Sequence, residues 1–249
     1  MKRHIPNILT LLNLFCGCIG VIYAVNGNFV IAAFFVFLGI FFDFFDGLAA
    51  RKLNVQSELG LQLDSLADLV TSGLVPGIVM YKLFELTLVY GESFDDVVRT
   101  ETMLWIGGKI VFFPLFGLLI TLASAYRLAN FNIDTEQQDY FKGLPTPANA
   151  LFILSLPLIM EFQNNDAINA VILNKWVLIA ITLLSCYLLN SGIKLFALKF
   201  KDYSFKGNTT RYIFILLCMV LLIVLQFAAI PLLILMYIIM SVLENITSK

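Results

Sequence analysis

The run DFFDGLAARKLNVQSELGLQLDSLAD, residues 43–68, sets four carboxylates inside or at the edge of strongly apolar sequence. Asp43 and Asp46 are three apart and Asp64 and Asp68 four apart, so on helices each pair shares one face. Ala50, four after Asp46, joins the first face; Gly60, four before Asp64, joins the second. Two antiparallel helices joined by the polar link at residues 52–58 bring the acids together. Only Arg51 and Lys52 lie nearby to offset them and Glu58. Carboxylates in such surroundings are costly and mark a functional site. Their hard oxygens select Mg²⁺ or Mn²⁺ and also admit Ca²⁺. Gly47 and Gly60 let a ligand approach the backbone, and Arg51 offers a planar fork to phosphate oxygens. Cations, phosphate and arginine together point to transfer chemistry on a diphosphate.

Around this run the chain is 60% hydrophobic and 13% charged, with 23 Phe among 249 residues. That composition excludes a soluble domain and describes an all-α polytopic membrane protein. A net charge of -1 and no long basic run leave no case for a nucleic-acid partner. Cys16, Cys18, Cys186 and Cys218 all lie in apolar runs without metal-ligand spacing, and read as small buried hydrophobes. His4, a terminal residue facing solvent or headgroups, is the single histidine, which excludes mechanisms built on paired histidines.

Hydropathy predicts eight spans within one membrane domain over 1–249. The first, 8–26, follows a basic stretch too short for a cleavable signal and stays attached. Asn7, Thr10, Asn13 and Gly17 form a polar, small stripe on it. Either the stripe packs helices together or Thr10 and Asn13 face a ligand cavity. Spans at about 29–50 and 60–83 carry the carboxylate pairs, with a kink expected at Pro76. An acidic loop over 86–103, a span at 104–128 and a polar loop over 129–144 follow. Spans at about 147–160 and 176–198 complete a catalytic core of about 5–200. A basic loop with Lys199, Lys201, Lys206 and Arg211 leads to a C-terminal helical pair within about 211–245, turning at Pro231.

An even number of spans puts both termini on one side. Twelve of the 16 Lys and Arg residues fall on that side, against Lys82, Arg99, Lys109 and Lys175 on the other, which makes it cytoplasmic. The Asp cluster then lies at the cytoplasmic end of spans two and three, within reach of a charged nucleotide. The sequons at Asn208 and Asn245 fall there too and carry no glycan.

A second constellation joins Arg127, Asn130 and Asn132 at the end of span four to Lys142 and Gly143 at the entry of span five. These residues either anchor the chain among headgroups or form a cationic pocket for an anionic acceptor or phosphate; the pocket reading is preferred.

The pattern Asp43-x2-Asp46-Gly47-x2-Ala50-Arg51-x8-Gly60-x3-Asp64-x3-Asp68 resembles the CDP-alcohol phosphatidyltransferase family at every fixed position. Ile5-Pro6 with Thr10-x2-Asn13-x3-Gly17, LDSLADLVTSGLVP at 63–76, Arg127-x2-Asn130-Phe-Asn132 and Gly143-x-Pro145 narrow it to the membrane-embedded bacterial and archaeal branch that uses L-serine. The likeness covers residues 5–150 well and is a matter of hydropathy beyond. It implies a six-helix core, the prokaryotic cytoplasmic membrane, and transfer of a phosphatidyl group from CDP-diacylglycerol to L-serine with release of CMP. It also implies a homodimer among membrane lipids and Asp68 as proton acceptor.

The residues fit that chemistry. Asp43, Asp46, Asp64 and Asp68 would hold two divalent cations on the donor diphosphate, with Gly47, Ala50, Arg51, Gly60, Thr10 and Asn13 binding CDP-diacylglycerol. Direct in-line displacement is expected, since a covalent intermediate of the paired His-Lys-Asp kind cannot form with one histidine. The alternatives are another acceptor, such as glycerol phosphate or inositol phosphate, and a cation transporter lined by the carboxylates. A prenyl-diphosphate enzyme would want Asp-Asp-x-x-Asp, which is absent.

Overall fold

The computed structural model describes residues 4–90, 112–133, 140–163, 165–196 and 205–247. Helix α1 (Ile5–Val25) turns at Gly27, whose φ of +75° suits glycine, into α2 (Phe29–Leu53). Asn28 caps α2 by accepting from the Ile31 amide at 3.2 Å. Helix α2 ends at Asn54, in the left-handed conformation at φ 53°. After a short link, Ser57 accepts from the Gly60 amide at 3.1 Å and starts α3 (Glu58–Asp68). The polar link is therefore a stop signal and a start signal back to back, which reverses the chain between the two Asp pairs.

Helix α3 continues through wide π turns over Leu69–Leu74 into α4 (Val75–Tyr90). The irregularity expected at Pro76 thus lies one turn earlier, directly after Asp68. Pro76 itself falls in the first turn of α4, where a missing N–H matters least. Helix α4 outruns its expected end near residue 83, so 86–90 are helical; the rest of the expected acidic loop lies outside the described residues. A 3-10 lead, Phe113–Leu118, opens α5 (Leu119–Ile133), which ends five residues later than expected; 104–111 lie outside the described residues.

Strand β1 (Tyr140–Lys142) precedes α6 (Thr146–Gln163), the short α7 (Asp166–Ile172) and α8 (Lys175–Asn190). Span six was expected to reach residue 198, but α8 stops at Asn190 and strand β2 (Lys194–Phe196) follows. It pairs antiparallel with β1, Lys142 opposite Lys194. Helices α9 (Phe205–Leu225) and α10 (Ala229–Thr247) close the chain. Lys206 and Arg211 belong to α9 rather than to a loop, while Lys199 and Lys201 lie outside the described residues.

Among the described residues, five stretches are long and apolar enough to cross a membrane, six with α7 and α8 counted as one span bent by 59°. One of the five, Phe214–Leu243, is folded back on itself: the Phe214 and Tyr237 ring centroids are 5.7 Å apart. In one straight helix those residues would stand ~34 Å apart. The chain is a helical polytopic membrane protein, and its described residues include one short two-stranded antiparallel sheet.

Small residues let the helices meet. Ala24, Ala32, Ala33 and Val36 are buried between α1 and α2. A Cβ on Gly117 would lie 2.5 Å from the Tyr81 amide nitrogen, and one on Gly73 3.0 Å from Ser124 Cβ. Met80, Leu83, Phe84, Ile120, Ile153 and Leu178 fill the core beneath the Asp cluster. Phe34, Phe37, Phe41 and Phe44 of α2 and Ile223 and Val224 of α9 face outward, as a lipid-exposed surface requires. Cys16 is buried as expected, whereas Cys18 is exposed on that outer face and Cys186 and Cys218 are part-exposed. In a bilayer an outward cysteine is still out of water.

Candidate active site

The reversal at residues 54–57 sets the end of α2 beside the start of α3. One carboxylate oxygen from each of Asp43, Asp46 and Asp64 lies within 4.8 Å of the other two. Asp46 is buried, and its Oδ2 accepts a hydrogen bond from Thr10 Oγ1. Asp64 Oδ1 is shut off from solvent with no hydrogen-bond partner among the described residues. An octahedral Mg²⁺ at ~2.1 Å from its ligands sets them ~3 Å apart along an edge and ~4.2 Å across. The 4.8 Å limit on the triad's oxygens is close to the spacing across such an ion. Three crowded carboxylates, one with an orphaned oxygen, fit a divalent cation.

Asp68 is not one of these three converging oxygens, but its charge reaches Asp43. Its Oδ1 accepts from Asn13 Nδ2 at 3.2 Å, and the cation whose field reaches it is Arg127 of α5. Arg127 is itself 9% exposed, and its Nε has no hydrogen-bond partner among the described residues. Asp68 thus faces the triad on one side and an arginine on the other.

A cavity of about 530 Å³ opens on the triad. Asp46, Asp64, Gly47, Ala50, Arg51 and Gly60 line it, with Thr10 on the α1 side. A Cβ on Gly47 would meet only Arg51 Nη2, at 3.9 Å, so this wall is open. Arg51 Nε donates to the Gly47 carbonyl at 3.0 Å, which holds the guanidinium along the cavity. Asn13 is fully buried against Asp68 and is not among the residues lining this cavity. Asn7 and Ser57 do line it and were not singled out for it, although Asn7 begins the polar stripe of α1.

A second cavity, about 370 Å³, gathers Arg127, Asn130 and Lys142 as expected. Asn190 and Ser191, read from the sequence as part of a longer span, complete it. Asn132 does not line it. Its Oδ1 accepts from Ser65 Oγ at 3.1 Å and its Nδ2 donates to Gln62 Oε1 at 3.4 Å, so it ties α5 to α3. Gly143 shapes the wall rather than touching the space: its φ is +71°, its amide donates to the Ile193 carbonyl at 2.9 Å, and a Cβ would lie 2.6 Å from the Leu189 carbonyl oxygen.

Residues 3–188 match the family model described as CDP-alcohol phosphatidyltransferase. The chain belongs to the CDP-alcohol phosphatidyltransferase family. The match takes in the first cavity and Arg127, Asn130 and Lys142 of the second, and ends within α8, before Asn190, Ser191, β2, α9 and α10. Among curated relatives, the CDP-diacylglycerol–serine O-phosphatidyltransferase of Bacillus subtilis is 33% identical over 68% of this chain and 81% of its own length. The protein of the same name from Helicobacter pylori strain J99 is 32% identical over 60% of this chain. The archaetidylserine synthase of Methanothermobacter thermautotrophicus is 29% identical over 62%. The chain spans little more than half the length of these last two, 55% and 58%.

Proposed function

We propose that this family member transfers the phosphatidyl group of CDP-diacylglycerol to L-serine, giving phosphatidylserine and CMP. The observation that carries the reading is the convergence of Asp43, Asp46 and Asp64 on one point beside a cavity flanked by Arg51. Carboxylates lining a transport path would be spread along several helices; these gather at the ends of two. The names of the relatives supply the acceptor, and a pocket holding Arg127, Lys142 and Asn130 suits a serine carboxylate.

Two divalent cations, Mg²⁺ or Mn²⁺, would neutralise charge developing on phosphorus and on the leaving CMP. Asp43, Asp46 and Asp64 hold the first of them, and Asp68 contributes to the second. Thr10 orients Asp46 through its hydroxyl, and Arg51 lies along the donor diphosphate. Asp68 accepts the serine hydroxyl proton as the new oxygen–phosphorus bond forms and the bond to CMP breaks. The site lies at the cytoplasmic face of a multi-pass protein with both termini inside, and the working unit is a homodimer in membrane lipid.

The test offers labelled CDP-diacylglycerol to the purified protein with L-serine, glycerol 3-phosphate and inositol phosphate together. Phosphatidylserine is the expected product, and close serine analogues compete. Phosphatidylglycerol phosphate in its place would assign another acceptor and a different use for Arg127 and Lys142.

A further inference from the structure

Asn13 sits one helical turn beyond Thr10 on α1 and is wholly buried, and its Nδ2 donates to Asp68 Oδ1 at 3.2 Å. Two neighbours fix it there. Thr71 Oγ1, from the π turns that follow Asp68, donates to the Asn13 carbonyl at 3.1 Å. On the other side α2 closes in at Gly39, where a Cβ would lie 2.8 Å from Asn13 Oδ1 and 2.7 Å from Thr71 Cγ2. Asn13 Oδ1 is buried with no hydrogen-bond partner among the described residues. A side chain present only to join helices would pair that oxygen, because an unpaired buried amide oxygen is unfavourable. Turning the amide over would set Oδ1 against the Asp68 carboxylate and repel it. The residue leaves its oxygen unpaired so that its N–H meets Asp68.

We infer that Asn13 is the positioning residue for Asp68. It fixes the rotation of the carboxylate through Oδ1, so that Oδ2 is the oxygen presented to the serine hydroxyl. The inference rests on Asp68 being the proton acceptor of the proposed reaction. No rotation of Asp68 is then needed as the proton moves from serine to Oδ2, the serine oxygen bonds to phosphorus and CMP departs. Asn13 touches no reacting atom; it acts through Asp68.

The experiment compares full-length wild type, Asn13→Leu, Asn13→Gln, Asp68→Asn and the Asn13→Leu/Asp68→Asn double variant, reading kcat, serine KM and donor Kd. Asn13→Leu should lower kcat by ~10–100-fold, the scale of a misplaced catalytic group, with serine KM and donor Kd unchanged. Asn13→Gln, which keeps an amide donor, should recover part of that loss. The double variant should be no slower than Asp68→Asn alone, because the two residues act as one unit. A double variant slowed by the product of both single losses overturns the inference while leaving Asp68 as the base. So does an Asn13→Leu protein that loses donor affinity at unchanged kcat. Wild-type kcat in Asp68→Asn would instead remove the base assignment on which the inference stands. If Asn13→Leu does not insert, Asn13→Ser fits any packing and takes its place with the same expectations.

Discussion

Ser65 Oγ donates to Asn132 Oδ1 at 3.1 Å, across the boundary between the helix that carries Asp64 and Asp68 and the helix that carries Arg127. Ser65 follows Asp64 directly, and Asn132 lies five residues past Arg127. The bond sets the spacing between the two cavities.

Asn132→Ala should remove that tie. A net loss of ~0.5–1.5 kcal/mol in stability is expected for one such bond, with serine KM raised more than donor Kd. Thermal unfolding in detergent and initial rates at saturating donor check it. A raised donor Kd with serine KM unchanged would place the effect in the diphosphate cavity.

Asp43→Asn and Asp64→Asn should each abolish transfer while the protein still inserts and purifies. Each removes a charged member of the triad that closes to within 4.8 Å. Near wild-type turnover of either at saturating Mg²⁺ would show that the triad does not hold the essential ion.

Arg127→Lys keeps the charge and loses the planar fork. Because Arg127 lines the smaller cavity with Lys142 and Asn130, serine KM should rise while donor binding holds. Calorimetry with the donor and rates against serine separate the two. Weakened donor binding at constant serine KM would move Arg127 to the diphosphate.

Gly39→Ala should destabilise the protein by ~1–3 kcal/mol, the usual cost of overpacking, since the added methyl would press on Thr71 and Asn13. Activity should fall with it, because Asn13 holds Asp68 and Thr71 holds Asn13. The unfolding midpoint and kcat of the purified variant are the readouts; an unchanged midpoint would contradict the close packing of α1, α2 and the π turns.

Helical periodicity made the triad legible: Asp43, Asp46 and Asp64 lie on facing stripes, and the capping residues Asn54 and Ser57 reverse the chain between them. Periodicity also put Asp68 on the stripe of Asp64, but a shared stripe is not a shared point. Four residues are one turn, a rise of ~6 Å, and that turn carries Asp68 past the triad to Asn13. The same spacing rule separates Asn130 from Asn132, which the sequence had grouped. Two residues apart on a helix is ~200° of rotation, so with α5 extended to Ile133 the pair points to opposite sides. The pairing of β1 with β2 was illegible because three-residue strands carry no usable alternation, and apolar sequence continues past Asn190 as though the helix did. That continuation hid Asn190 and Ser191, which line the second cavity only because α8 stops there.

The central claim is metal-dependent transfer of a phosphatidyl group to serine at the Asp43–Asp46–Asp64 triad. Its most direct test is the initial rate of labelled-serine incorporation by chelator-stripped protein with CDP-diacylglycerol, titrated with Mn²⁺. The account predicts no product without metal, a saturable rise with Mn²⁺, and one CMP released for each phosphatidylserine formed. Undiminished transfer in the stripped protein, or no incorporation at any Mn²⁺ concentration, would contradict it.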